Sequence, residues 1–222
     1  MKAVLFDLDG TLFDTAPDFV VVLNQLRQQE QLPPLADATI REVVSNGARA
    51  MVRLGFGVDE GETGFGELRQ RLLDLYLMHL AKHTIPFPGI EKLLNELAEN
   101  DIAWGVVTNK PSAYTIPLLQ AFAHLPTPRA IICPDDVTHR KPDPEPILLA
   151  CSRIGCDPAE AIYVGDHERD IMAGRAAGMP TIACTYGYID SDDDPENWQA
   201  DHLIHDASEI WPLIQKHYLK RA

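Results

Sequence analysis

Short apolar runs rich in strand-forming residues recur along the chain, at Lys2-Ala3-Val4-Leu5-Phe6, Ala103–Val107, Ala130–Ile132, Ala161–Val164 and Thr181–Cys184, with a weaker one at His202–Ile204. Runs this short and unbroken predict buried strands. Helical patterns lie between most of them. Ile90, Leu93, Leu94, Leu97 and Ala98 fall on one face of a helix expected from Gly89 to about Asn100. Ile147, Cys151 and Ile154 mark another after Pro146, ended by Gly155. Alternating strand and helix predicts an α/β fold, a doubly wound, Rossmann-like parallel sheet with helices on both faces.

Residues 15–86 break the alternation: no strand is expected there, and Leu68, Leu72, Leu75 and Leu80 follow a helical spacing. An all-helical cap is therefore predicted at 15–86, inserted into a core of 1–14 and 87–222. Thr15-Ala16-Pro17-Asp18 offers an N-cap hydroxyl, an early proline and an acid placed to reach back, which sets the start of the insertion. Pro86-Phe87-Pro88-Gly89 ends it. Gly55–Gly66 reads as a surface loop, because no strand precedes it and no lysine follows as in a phosphate cradle.

Composition narrows the function. With 222 residues, 19 Lys+Arg and 33 Asp+Glu, the net charge is −14, which disfavours nucleic acid and anionic membrane surfaces. Apolar runs such as Phe19-Val20-Val21-Val22-Leu23 fall far short of the ~20 residues of a membrane span. A cytoplasmic protein is expected, monomeric or homodimeric. Cys133, Cys151, Cys156 and Cys184 match neither a redox pair nor a zinc knuckle and are expected reduced and buried. The acids from Asp190 to Glu196 read as a solvated loop rather than a calcium site.

Polar residues gather just after the strand-like runs, where open α/β sheets bind ligands. Asp7 and Asp9 follow the first run, Thr108-Asn109-Lys110 the second, Lys141-Pro142-Asp143-Pro144 comes after the third, and Gly165-Asp166-His167-Glu168-Arg169-Asp170 follows the fourth. Two carboxylates ~4 Å apart repel by about 4 kcal/mol at an effective dielectric near ~20. Adding Asp166 and Asp170 calls for a cation, and an oxygen-only donor set that leaves room for water and phosphate suits Mg²⁺. Thr108, Asn109 and Lys141 then supply donors and positive charge for phosphate oxygens.

The pattern Asp7-x-Asp9-Gly10-Thr11, then Thr108, Lys141 and Gly165-Asp166-x-x-x-Asp170, with a helical insertion after the first strand, resembles the haloacid dehalogenase superfamily of phosphohydrolases over essentially the whole chain. Val106-Val107-Thr108-Asn109-Lys110, Lys141-Pro142-Asp143-Pro144 and Ala173–Met179 resemble its phosphoglycolate phosphatase branch. Gly47-Ala48-Arg49-Ala50-Met51-Val52 and Tyr186-Gly187-Tyr188 are similar to members acting on N-acetylmuramate 6-phosphate. The resemblance implies a Mg²⁺-dependent phosphatase of a small phosphorylated metabolite. Asp7 would be the nucleophile that forms an aspartyl-phosphate, and Asp9 the acid and base. The metal would be held by Asp7, the backbone carbonyl of Asp9 and Asp166, with Asp170 beside it.

Dehalogenation leaves Asp9, Asp166 and Asp170 without a role. Phosphonate cleavage in this superfamily uses an insertion lysine, and the insertion holds only Lys82, at its end. A β-phosphoglucomutase-like mutase shares Asp7 and Asp9 and stands as the alternative. A non-catalytic metal- or partner-binding domain would have no reason to combine Asp7, Asp9, Thr108, Lys141 and Asp166. Substrate choice is expected in the cap, at Asn46, Gly47 and Arg49, with Arg49 either clamping a substrate carboxylate or standing as an exposed charge. The histidines, His79 and His83 among them, are expected at the surface or in packing. His167, inside the metal loop, is left open as a substrate contact.

Overall fold

The computed structural model describes residues 1–219. The last three residues of the expected core span, 220–222, lie outside the described residues. In chain order the elements are β1 (Ala3–Phe6), β2 (Phe13–Asp14), α1 (Ala16–Gln29), α2 (Asp37–Glu42), α3 (Gly47–Phe56), α4 (Phe65–His79), β3 (Ile85–Pro86), α5 (Ile90–Glu99), β4 (Ala103–Val107), α6 (Ser112–Ala121), β5 (Ala130–Ile132), α7 (Glu145–Ile154), β6 (Ala161–Gly165), α8 (Glu168–Ala176), β7 (Thr181–Cys184), β8 (His202–Ile204) and α9 (Ile210–His217).

The six apolar runs are the six strands of one parallel sheet, in the order β5-β4-β1-β6-β7-β8. Period-two alternation divides β1 between two cores. Val4 and Phe6 pack with Ile90, Leu93 and Leu97 of α5 and Ile210 and Ile214 of α9, whereas Ala3 and Leu5 pack with Ile147, Ala150 and Cys151 of α7. Gly89 and Gly155 flank α5 and α7 as the spacing predicts, both with left-handed φ, 95° and 82°. From β1 the chain crosses one way, to β4, and from β6 the other way, to β7. The crevice between the carboxyl ends of β1 and β6 is thus the switch point at which such sheets bind ligands.

Between β2 and β3 the chain is helical, as expected, apart from the ends. Phe13–Asp14 and Ile85–Pro86 pair as an antiparallel ribbon, with Phe13 opposite Pro86 and Asp14 opposite Ile85. Two-residue strands carry no periodicity, so this ribbon left no trace in the pattern. The stretch read as a loop, Gly55–Gly66, is shorter than expected: Gly55 lies inside α3 and Gly66 inside α4. Gly55 is buried there because a Cβ would meet Leu23 Cδ1 at 2.8 Å.

The start of α1 also departs from expectation. Thr15 makes no side-chain cap; its hydroxyl donates to Asp9 Oδ1 at 2.6 Å, a charge-assisted bond that outweighs a neutral cap. Asp18 does not reach back but accepts from His83 N at 2.7 Å and Thr84 Oγ1 at 2.6 Å. The two ends of the insertion are thereby tied together. Cys133, Cys151 and Cys184 are buried and Cys156 is half-buried, all as free thiols. Among the described residues no helix is long and apolar enough to cross a membrane.

Candidate active site

Asp7 follows β1 directly, Lys141 enters from the loop before α7, and Asp166 and Asp170 flank the start of α8. One carboxylate oxygen from each of Asp7, Asp166 and Asp170 falls within 4.8 Å of the others, and all three residues are buried. Lys141 Nζ, with no side-chain exposure, lies 2.9 Å from Asp7 Oδ1 and 2.6 Å from Asp170 Oδ1. It also donates to Tyr163 OH at 2.8 Å, which donates in turn to the carbonyl of Val107 at 2.8 Å. Asp7 Oδ1 is in ion-pair range of that ammonium but outside hydrogen-bond alignment, so this buried oxygen has no hydrogen-bond partner.

Asp166 accepts from Thr11 Oγ1 at 3.0 Å and from the backbone N–H of Tyr188 at 2.8 Å. Burial, then the charges of Asp7 and Asp170, push its carboxyl well above the ordinary range. Burial raises Asp170 as well, against the pull of Lys141. Three crowded acids, only two of them in reach of the one lysine, form an oxygen-only cluster that fits a hard divalent cation. Three glycines make the crowding feasible. A Cβ at Gly10, whose φ is +83°, would sit 1.9 Å from Asp166 Oδ2; one at Gly187 would sit 2.3 Å from Asp166 Cβ; one at Gly165 would sit 2.4 Å from Asp170 Cβ.

Asp9 stands apart from that cluster and has its own cation. Lys110 Nζ donates to Asp9 Oδ1 at 2.9 Å and to Tyr76 OH, on α4, at 2.8 Å. It lies 5.1 Å from the ring centre of Phe19 and 4.6 Å from that of Tyr76, rings stacked at 3.9 Å. Burial alone would lower the Lys110 ammonium, but Asp9 and Tyr76 reverse this and raise it. The expected repulsion between Asp7 and Asp9 is thus relieved by one lysine apiece.

A cavity of about 470 Å³ lies between sheet and insertion; Asp7, Asp9, Thr108, Asn109, Asn46, Gly47 and Arg49 all line it. Lys141 and Asp166 are buried and do not line it. Thr108 Oγ1 accepts from Lys110 N at 3.1 Å, which leaves its proton free to point elsewhere. Asn109 Nδ2 donates to the carbonyl of Lys141 at 3.0 Å. Arg49 pairs with Glu60 at 2.6 Å, both side chains more than half exposed, and Asn46 donates to Asp190 across the seam at 3.1 Å. His167 does not line the cavity: its Nδ1 accepts from Arg169 N at 3.2 Å as the cap of α8, its ring stacks near Trp198, and burial lowers it to about 4. The acid cluster is likewise absorbed locally, with Asp194 capping Glu196 N and Asp193 accepting from Trp198.

The sequence reading missed Lys110, Thr11, Thr15, Tyr163, Tyr188 and Arg169. Lys110 was visible two residues after Thr108, and Arg169 one before Asp170, but nothing in spacing says where a long side chain ends. Tyr188 OH accepts from Ala16 N and donates to Asp14 Oδ1, both at 2.8 Å, and the Arg41 guanidinium covers its ring at 4.8 Å while pairing with Asp14.

The pattern of the haloacid dehalogenase-like hydrolases matches residues 4–184. The chain is 44% identical over 216 residues to an N-acetylmuramic acid 6-phosphate phosphatase of Pseudomonas aeruginosa, covering 97% of this chain and 96% of that one. It is 40% identical over 210 residues to a phosphoglycolate phosphatase of Xanthomonas campestris, covering 95% of each. Its fold matches the crystal structure of a predicted phosphoglycolate phosphatase from Haemophilus somnus with a TM-score of 0.85 at 25% identity, over 97% of this chain and 98% of that one. With Asp7, Thr108 and Asp166 just past the strands of a parallel sheet, Lys141 and Asp170 brought to them from the next loop and helix, and a helical insertion after the first strand, the chain belongs to the haloacid dehalogenase-like hydrolase family.

Proposed function

We propose that the protein is a Mg²⁺-dependent phosphatase that hydrolyses a phosphomonoester of a small metabolite through an aspartyl-phosphate on Asp7. The observation that carries this reading is Asp7 Oδ1, a buried carboxylate oxygen without a hydrogen-bond partner beside Lys141, in a residue that lines the cavity. An unsolvated carboxylate keeps its lone pairs free for in-line attack on phosphorus. Asp9 gives a proton to the departing oxygen and then takes one from the water that cleaves the acyl phosphate. Thr108, Asn109 and Lys141 hold the phosphate oxygens. Asp7, Asp166 and the carbonyl of Asp9 hold Mg²⁺, with Asp170 fixing Lys141 beside them. The bound ion supplies charge neutralisation between the carboxylates and the phosphate.

The handling of phosphate belongs to a core of 1–14 and 87–222, and substrate choice to a cap of 15–86. Of the two relatives' substrates, N-acetylmuramate 6-phosphate is favoured: its relative is the more similar of the two, and the cavity of about 470 Å³ is roomy for a two-carbon acid.

The test is phosphate release from N-acetylmuramate 6-phosphate, 2-phosphoglycolate, β-glucose 1-phosphate and 4-nitrophenyl phosphate, with Mg²⁺ or a chelator. The expected result is turnover that needs Mg²⁺ and falls by about 1,000-fold or more in Asp7→Asn. Isomerisation of β-glucose 1-phosphate without phosphate release would favour the mutase instead.

A further inference from the structure

Five buried side-chain atoms have no hydrogen-bond partner among the described residues: Asp7 Oδ1, Ser45 Oγ, Trp104 Nε1, Asn109 Oδ1 and Arg169 Nε. Four of the five belong to residues that line the cavity between sheet and insertion, whereas Trp104 lines a second one beside β4 and β5. Buried polar groups left unpaired cost about 1–3 kcal/mol each, so their concentration in one place marks where a ligand's own polar atoms belong. Asp7 and Asn109 sit at the phosphate end. Ser45 and Arg169 have no role assigned on the phosphate or the metal.

Ser45 is on the insertion, in the short turn before α3, and Arg169 is in the first turn of α8. They meet across the seam, where Arg169 Nη2 donates to the carbonyl of Ser45 at 2.5 Å. An unpaired hydroxyl and an unpaired guanidinium N–H therefore stand side by side. Among the described residues, no carboxylate lies within 4.0 Å of Arg169, in a chain whose net charge is −14. Of the other cations that line the cavity, Arg49 is neutralised by Glu60 and Lys110 by Asp9, and neither Arg69 nor Arg140 has a buried side-chain atom left unpaired.

We infer that Arg169 and Ser45 form a subsite for a second acidic group, a carboxylate, on the phosphorylated substrate; this rests on the phosphatase reading above. A guanidinium fork with a neighbouring hydroxyl presents donors that suit the two oxygens of a planar carboxylate. Because one donor comes from the core and the other from the insertion, the acid also bridges the seam. Specificity is then set in part by a core residue beside the metal carboxylates rather than by the cap alone.

The experiment compares N-acetylmuramate 6-phosphate with N-acetylglucosamine 6-phosphate, which lacks the lactyl carboxylate, in the wild type, Arg169→Lys and Ser45→Ala. In the wild type kcat/KM should favour the acid-bearing ester. The ratio between the two esters should fall by about tenfold or more in Arg169→Lys and by a smaller factor in Ser45→Ala, as expected for loss of charge-assisted hydrogen bonds. A proportionate loss on both esters would place Arg169 on the phosphate and overturn the inference. Equal wild-type rates on the two esters would overturn it while leaving the phosphatase reading intact, and no Mg²⁺-dependent release from any phosphate ester would remove both. Product inhibition of the wild type needs no variant to fold. N-acetylmuramate should inhibit at concentrations about tenfold or more below N-acetylglucosamine, and equal inhibition counts against the subsite.

Discussion

Lys110 Nζ stands 2.9 Å from Asp9 Oδ1, and the hydroxyl of Tyr76, from the opposite side of the cavity, holds the same ammonium at 2.8 Å. Asp9 is thus oriented by a core lysine that is itself braced by the insertion.

Lys110→Met should release that orientation. An Asp9 carboxyl group that no longer faces the leaving oxygen delivers no proton to it, so kcat on sugar phosphates should drop by about 10- to 100-fold. The loss on 4-nitrophenyl phosphate should be smaller, because its leaving group departs without a proton. Steady-state rates on both esters check this, and equal losses would put Lys110 on the phosphate instead.

Metal and pH should be linked through Asp166 and Asp170. Their carboxyls are raised in the fold, by burial first, from an ordinary value of 3.8. Above that value the folded state without metal holds more protons than the unfolded chain, so these two acids make stability fall as pH rises. Mg²⁺ offsets their repulsion, and its increment in Tm should be larger at pH 8 than at pH 5. Asp166→Asn should flatten the chelator profile and remove most of the increment. Scanning calorimetry with and without Mg²⁺ decides it.

Gly187→Ala should disturb the metal carboxylate from outside the cluster. The added methyl meets Asp166 Cβ at 2.3 Å and the carbonyl of Gly10 at 2.5 Å, and backbone has little room to yield. A loss of about 1–3 kcal/mol is expected for such overpacking, together with a weaker apparent affinity for Mg²⁺. Chemical denaturation and a Mg²⁺ titration of activity measure the two effects separately.

Tyr188→Phe keeps the ring and the N–H to Asp166 but removes the hydroxyl between Ala16 N and Asp14 Oδ1. Leaving the Ala16 N–H unpaired in a buried place should cost about 1–3 kcal/mol. Protease cleavage near residues 14–16 should become faster, while Mg²⁺ affinity stays near that of the wild type. A variant as resistant as the parent would show that the ribbon alone fixes this junction.

The sheet strands were legible as short apolar runs, β8 more weakly than the rest, and Asp7, Thr108 and Asp166 were legible because each sits just beyond one, with Lys141 following the third only after an intervening loop. What stayed hidden depends on side-chain reach and on very short elements. Thr15 looked like a cap because its neighbours suit one, yet a carboxylate six residues earlier competed for the same hydroxyl. Arg49 looked like a ligand clamp because its loop is polar and glycine-bearing, and Glu60, eleven residues on, was not recognisable as its partner. Lys141 taken alone would be a solvated charge, and its burial is not legible in sequence because it follows from three groups, Asp7, Asp170 and Tyr163, that meet only when β1 and β6 lie side by side.

The ribbon of Phe13–Asp14 and Ile85–Pro86 brings the departing and returning chain side by side, and Asp18 fastens to Thr84 immediately above it. To the sheet, everything between is a single closed loop whose ends already touch. Such a loop can lengthen, shorten or be exchanged at little entropic cost, provided that a group such as Tyr76 still braces Lys110 beside Asp9. The junction therefore lets the roof differ in length and shape without unpicking the sheet beneath it, because the chain passes between sheet and insertion only through two ends that are already joined.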